Sequence, residues 1–317
     1  MQGEPLLDWV DPVREYVGFV GQFLALGAVG FRFAAVRGRA TDAVDLGERA
    51  VFDDALRRTA IIGTVAFAVQ IALFLAGLPA SAARAHMTTE RLLTSNLQTG
   101  SAAALFALGF IGLVLASFRV RAGWFLAMIG VVLAPLTAVV TGKWSGLVNP
   151  LHRVAAGLWI GTLFVLVVAG LSTILLEERT RDRRGAMAAD LVNSFSPLAL
   201  TCGVFVVASG LTTAYSHLQP LSSLWTTPYG YTLIVKLVLV ACVFALGAWN
   251  WRRMRPRLGT EDAAHAVRRS ARAELATAAL VLVATAILIS LPSPREYLQR
   301  TAPAVGAPGM TTSTPHP

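Results

Sequence analysis

Apolar residues fall in eight long runs, at roughly Tyr16–Val36, Thr59–Leu78, Gly100–Phe118, Trp124–Val140, Leu151–Leu176, Pro197–His217, Tyr231–Trp251 and Leu275–Leu291. Each reaches roughly the 20 residues that carry a helix across a bilayer. Basic residues crowd every second connection. Arg37, Arg39, Arg49, Arg57 and Arg58 follow the first run, Arg119 and Arg121 the third, and Arg179, Arg181, Arg183 and Arg184 the fifth. The seventh is followed by Arg252, Arg253, Arg255, Arg257, Arg268, Arg269 and Arg272. Against these the other side holds only Arg14, Arg84, Arg91, Lys143, Arg153, Arg295 and Arg300. The pattern predicts an all-α polytopic bundle of eight transmembrane helices. By the positive-inside rule the dense side is cytoplasmic and both termini face outward. An impermeant thiol reagent is expected to label a cysteine placed at Ser222 and to spare one at Ala263. The reverse result would invert the topology.

Local signals refine the runs. Ser196 followed by Pro197 reads as a cap and first-turn proline, hence a helix start. Pro135 is expected to kink the fourth helix. Gly157 and Gly161 lie one turn apart in GLWIG, the small-residue spacing that lets helices approach closely. Gly203 and Gly210 share a face with Thr213 and His217. The fifth and sixth helices are therefore the expected tight pair. The chain reads as one bundle, divisible by number into a four-helix half over residues 1–150 and another over 151–292. The segment 252–274 is expected to extend the last helix amphipathically. The Pro/Thr/Gly-rich tail, 293–317, has little to bury and is expected to be disordered.

The net charge of +9 would suggest a nucleic-acid partner in a soluble chain. Here arginine-rich loops meeting anionic lipid headgroups account for it, and no nucleic acid is expected. No cleavable signal peptide is visible, because the first residues are acidic and the first run is too long for a signal core. Phosphate loops, HExxH zinc helices, GxSxG elbows and CxxC pairs are all absent, so no enzyme is expected. No Asp or Glu falls deep within a run; Glu15 and Glu274 sit at ends.

The remaining chemistry lies in a few side chains. On this topology His86 stands in the second outer loop beside Met87, His152 opens the fifth helix at its outer end, and His217 closes the sixth at its own. Imidazole and thioether suit copper. His152 and His217 form the expected core of a copper site, with His86 or Met87 contributing from the loop; interfacial histidines with no ligand role are the plain alternative. His265 and His316 are expected to be solvated. Lys236 lies about two turns into the seventh helix, below Tyr229 on the same face, in a chain that writes all its other positive charge as arginine except at Lys143. It serves either as a snorkelling anchor or as a cation tuning an outer vestibule. Cys202 and Cys242, at comparable depth in consecutive helices, offer two thiolates for Cu(I) or simply fill apolar space. Arg32 is expected to snorkel.

HRVAAGLWIGTL (His152–Leu163), NSFSPLALTCGVFVVASGLTTAYSHL (Asn193–Leu218) and the run from Ser223 through TPYGY (Thr227–Tyr231), Lys236, Asn250, Arg253 and Pro256 together resemble the copper resistance protein D family. The likeness covers about Leu151–Leu291. It implies a multi-pass protein of the bacterial cytoplasmic (inner) membrane that moves copper ions inward from the outer compartment. It also implies a separate copper-binding protein outside as donor, since no such domain is fused here. Two other classes fit the same residues. One is a b-type haem electron carrier with His152 and His217 as axial ligands. The other is a non-catalytic assembly subunit of a membrane complex.

Overall fold

The computed structural model describes residues 8–37, 46–141, 144–217, 222–254, 260–294 and 296–297. Among them eight helices are long and apolar enough to cross a membrane: α1 (Val10–Val36), α2 (Leu46–Arg84), α3 (Leu97–Ser117), α4 (Arg121–Val139), α5 (Val148–Leu176), α6 (Arg181–Tyr215), α7 (Pro228–Arg252) and α8 (Ala264–Ser290). The chain is an all-α multi-pass membrane protein. Lys143, the tail from residue 298 onward and His316 lie outside the described residues.

Several helices outrun their apolar runs at the arginine-rich end, and burial explains why. Helix α2 starts more than a turn before Thr59 because Val51, Phe52, Ala55 and Leu56 form a buried stripe. Helix α6 does not start at Ser196. It is helical from Arg184 with Pro197 inside it, because Met187, Ala188, Leu191 and Phe195 bury an i, i+1, i+4, i+8 face in the core. That burial outweighs the break a proline would otherwise impose. The preceding polar turn is tied down by an Arg183–Glu48 ion pair at 2.7 Å, which joins α6 to α2. The expected extension of α8 forms from Glu261, with Ala264, Val267, Ala271 and Glu274 buried along one face. At Pro135 the α-helical part of α4 ends and a 3₁₀ segment, Ala134–Thr141, takes over, as a residue lacking an N–H requires.

The tight pairs are not the ones expected. Gly157 and Gly161 face α1, not α6. A Cβ on Gly161 would lie 1.8 Å from the Phe23 carbonyl oxygen, and one on Gly27 would lie 2.2 Å from the Gly161 carbonyl carbon. The register advances in step (Phe19 beside Arg153, Phe23 beside Gly157, Gly30 beside Thr162), so α1 and α5 run parallel. Across this contact α5 widens into π-type turns at Gly157–Gly161 and again at Leu166–Leu171. The second backbone-close pair is α3–α4, where Gly112 meets Ala127 and Gly130 meets Gly109. Their connection closes with Arg119 in the left-handed region at φ 65, its N–H donating to Ala116 O and that of Val120 to Leu115 O, which satisfies the last carbonyls of α3. One apolar core, from Ala25 on α1 to Ala278 on α8, draws on both halves of the chain.

Candidate functional site

Helices α5 and α6 meet at their arginine-poor ends through polar contacts. His152 Nδ1 lies 2.8 Å from Ser209 Oγ, and the Ser209 hydroxyl donates to the Phe205 carbonyl at 2.6 Å. A hydroxyl has one proton to give. With that proton on Phe205, Ser209 Oγ accepts and Nδ1 is the donor, which in the neutral ring leaves Nε2 without a hydrogen. The lone pair then sits on Nε2, and the ring is oriented as metal-ligating histidines usually are, with the other nitrogen donating to a fixed acceptor. The ring lies against α6 at Gly210, where a Cβ would meet His152 Cε1 at 3.5 Å, an ordinary contact. One turn toward the end of α5, Asn149 Oδ1 accepts from Thr213 Oγ1 at 3.1 Å. Thr213 was expected on the Gly203, Gly210 and His217 face, but Ser209 and Asn149 were not singled out from sequence. For Ser209 the signal was there, since it extends the small and polar stripe of Gly203, Gly210 and Thr213 along α6.

The other expected residues fall into different settings. Lys236 on α7 is half-buried and lies within electrostatic range of Arg153 and of His152. It forms no ion pair among the described residues. Tyr229, a little under two turns away, packs against Leu233 and Leu288. His86 is exposed, with φ 53, at the end of α2. Its N–H donates to Ala83 O and the Met87 N–H to Ala82 O, a Schellman closure in which His86 is the left-handed residue. Met87 supplies the apolar contact of that motif, packed on the Leu78, Ala82 and Leu92 cluster. Cys202 is buried in the core and Cys242 is exposed; both are free thiols. His265 is exposed. The side chain of His217 lies outside the described residues, but its backbone ends the helix Arg184–His217. At 1.5 Å per residue it stands roughly 10 Å beyond Gly210 along the axis. His152 and His217 thus sit at successive levels, not at one. Among the described residues no three His, Cys, Asp or Glu side chains converge.

Two features had no place in the sequence reading. A cavity of about 380 Å³ opens between the first five helices, with Gln22, Gln70, Asn149 and Arg153 among its lining; Gln22 and Gln70 are polar interruptions of apolar runs. Glu274, expected at a helix end, is buried between α7 and α8. Asn250 Nδ2 donates to its carboxylate at 3.2 Å, and the Ser270 hydroxyl donates to Asn250 Oδ1. The extension of α8 moved it inside.

A multi-pass helical membrane protein with an oriented imidazole at one end of its bundle is the class that fold and site define. Residues 189–288, running from α6 through most of α8, match the family copper resistance protein D. Copper transport protein CutJ of Bacillus subtilis (strain 168) is 34% identical over 160 residues, a match covering 50% of this chain and 28% of that protein. The chain thus spans well under half of that relative's length. No solved structure matches the chain.

Proposed function

We propose that this chain handles copper at the bacterial cytoplasmic membrane, taking the ion from the outer side and passing it inward. The observation that carries the reading is the Phe205–Ser209–His152 hydrogen-bond chain, which presents Nε2 of a neutral imidazole at one end of the bundle. The family of α6–α8 and the name of the Bacillus relative support copper as the substrate. His217, a few turns nearer the membrane surface, serves as an earlier ligand, with exposed His86 and the neighbouring Met87 thioether as exchangeable loop donors. His152 receives the ion next. Lys236 and Arg153 favour Cu(I) over Cu(II) here, because their repulsion for a doubly charged ion is twice that for a singly charged one. In this reading Tyr229 sets the outer end of the face that carries Lys236. Cys202 and Cys242 are thiol candidates for the inward part of the path. Residues 151–292 carry the helix-borne copper ligands, and residues 1–150 hold α5 in place and bring the loop donors His86 and Met87. A separate outer copper-binding protein acts as donor.

Metal analysis and an optical spectrum of detergent-purified protein test the proposal. Wild type is expected to bind copper and show no Soret band, and His152→Ala to lose most of the copper at equal expression. A Soret band lost in His152→Ala would establish the haem carrier instead. Wild-type protein that binds neither, and co-purifies with subunits of a larger complex, would establish the assembly role.

A further inference from the structure

We propose that the cleft between α1, α5 and α8 is a binding site for an anionic glycerophospholipid, headgroup at Arg268 and Arg272 and one acyl chain along the apolar wall. The cleft has a volume of about 550 Å³. Its walls are apolar along most of its length, with Leu24, Phe164, Val168 and Ala279 among them. The far end is stopped by Tyr16 and Leu282, which pack on the Phe19, Phe23 and Ala286 cluster. Apart from the Tyr16 hydroxyl, polarity is confined to the arginine-rich end, where Arg268, Arg272 and Ser172 line the opening. From Arg268 to Leu282 the helix rises roughly 21 Å, more than the ~15 Å of hydrocarbon in one leaflet. The shape is that of a chain with an anion at one end.

The arginine pair needs such an anion. Arg268 Nη2 donates to Ser172 Oγ at 3.1 Å. That hydroxyl's own proton goes to the Val167 carbonyl at 3.1 Å, so it is a neutral acceptor only. Arg268 Nε is buried with no acceptor, and among the described residues neither arginine forms an ion pair. Arg272 stands four residues on, the spacing at which like charges on a helix repel. The nearby carboxylate, Glu274, is turned toward Asn250 on α7. An unpaired cation against apolar surface is costly. A phosphate diester lying between two guanidinium groups supplies several charge-assisted acceptors at once. A headgroup that also carries a cation would meet the same repulsion the arginines exert on each other, so the site selects net negative charge.

Native mass spectrometry of the full chain in micelles holding equal phosphatidylglycerol and phosphatidylcholine tests this. Wild type is expected to retain phosphatidylglycerol by roughly tenfold over phosphatidylcholine, about what one charge-assisted hydrogen bond contributes. Arg268→Gln with Arg272→Gln is expected to abolish the preference and leave copper binding unchanged. Ala276→Trp, at an exposed position on the cleft wall, is expected to lower retention of both lipids with the arginines intact. Should the glutamine variant fail to fold, the wild-type preference and Ala276→Trp decide. No preference in wild type, a preference surviving the double substitution, or full retention in Ala276→Trp overturns the proposal. Displacement of phosphatidylglycerol by millimolar inorganic phosphate would show a free-anion site and also overturn it.

Discussion

Gly161→Ala is expected to cost more stability than any other methyl group added to this bundle. On propensity alone the change should help, since alanine is favoured over glycine in a helix by about 1 kcal/mol. Here the new Cβ would sit 1.8 Å from the Phe23 carbonyl oxygen. That neighbour is backbone, so no rotamer change relieves it, and α1 has to move away from α5. Overpacking that side chains can relieve costs roughly 1–3 kcal/mol; separating two parallel backbones should exceed it. Thermal unfolding in detergent should show a large drop for Gly161→Ala and for Gly27→Ala, which meets Gly161 at 2.2 Å. Gly18→Ala is the control on the same helix. Its Cβ would find only Leu73 Cδ1 at 3.6 Å, an ordinary contact, so it should be neutral or slightly stabilising. Wild-type melting in Gly161→Ala would mean that α1 and α5 are not held at the distance described.

That contact also marks where sequence reasoning stopped. Hydropathy located all eight helices because lipid imposes one rule on every spanning segment, that its surface be apolar and its backbone bonded internally. The same rule hides which helices touch. In water a buried face differs from an exposed one; in lipid both are apolar, so the GLWIG spacing announced a close approach without naming the partner. The partner's own small residues, Gly27 and Gly30 on α1, were in plain view but carry no pairing code. The ends of α2 and α6 failed for a related reason, whereas the extension of α8 was expected. Outside the bilayer the amphipathic period resumes, as in Met187, Ala188, Leu191 and Phe195, and a search for continuous apolar runs stops before it. The extension of α8 is also what carried Glu274 from an expected end to a buried position beside Asn250.

The candidate site was legible in part for the same physical reason. A histidine at the end of a span is conspicuous, whereas its acceptor is an ordinary serine in a helix where many serines and threonines bond back to their own backbone, as Thr212 does to Ala208 at 3.0 Å. Ser209 does the same with Phe205. The spacing from His152 to Ser209, on a different helix, is not a motif; the fold alone brings them together. His86 and Met87 were equally conspicuous, and the structure gives both a local task in closing α2. That task leaves the His86 ring exposed and free to bind, while Met87 is partly committed to its apolar cluster.

If the Ser209 acceptor sets the imidazole for copper, Ser209→Ala should lower copper affinity by about 10–100-fold, the usual loss when a partner behind a metal-bound histidine is removed. Stoichiometry at saturating copper should hold, because Nε2 itself remains. His152→Ala should lose the site, and adding Ser209→Ala to it should cost nothing further, since the serine acts only through the ring. Competition against a chromophoric Cu(I) chelator reads all four proteins. Proton and metal compete for the same lone pair, so wild-type affinity should fall once the pH is low enough to protonate the ring. The protonated ring has no lone pair to offer, so the sign is fixed: loss at low pH, plateau above. In Ser209→Ala the neutral ring can place its hydrogen on either nitrogen, and affinity should stay depressed on the high-pH plateau, where protonation no longer contributes. Wild-type affinity in Ser209→Ala across that plateau would mean the hydrogen-bond chain serves only to hold α5 against α6.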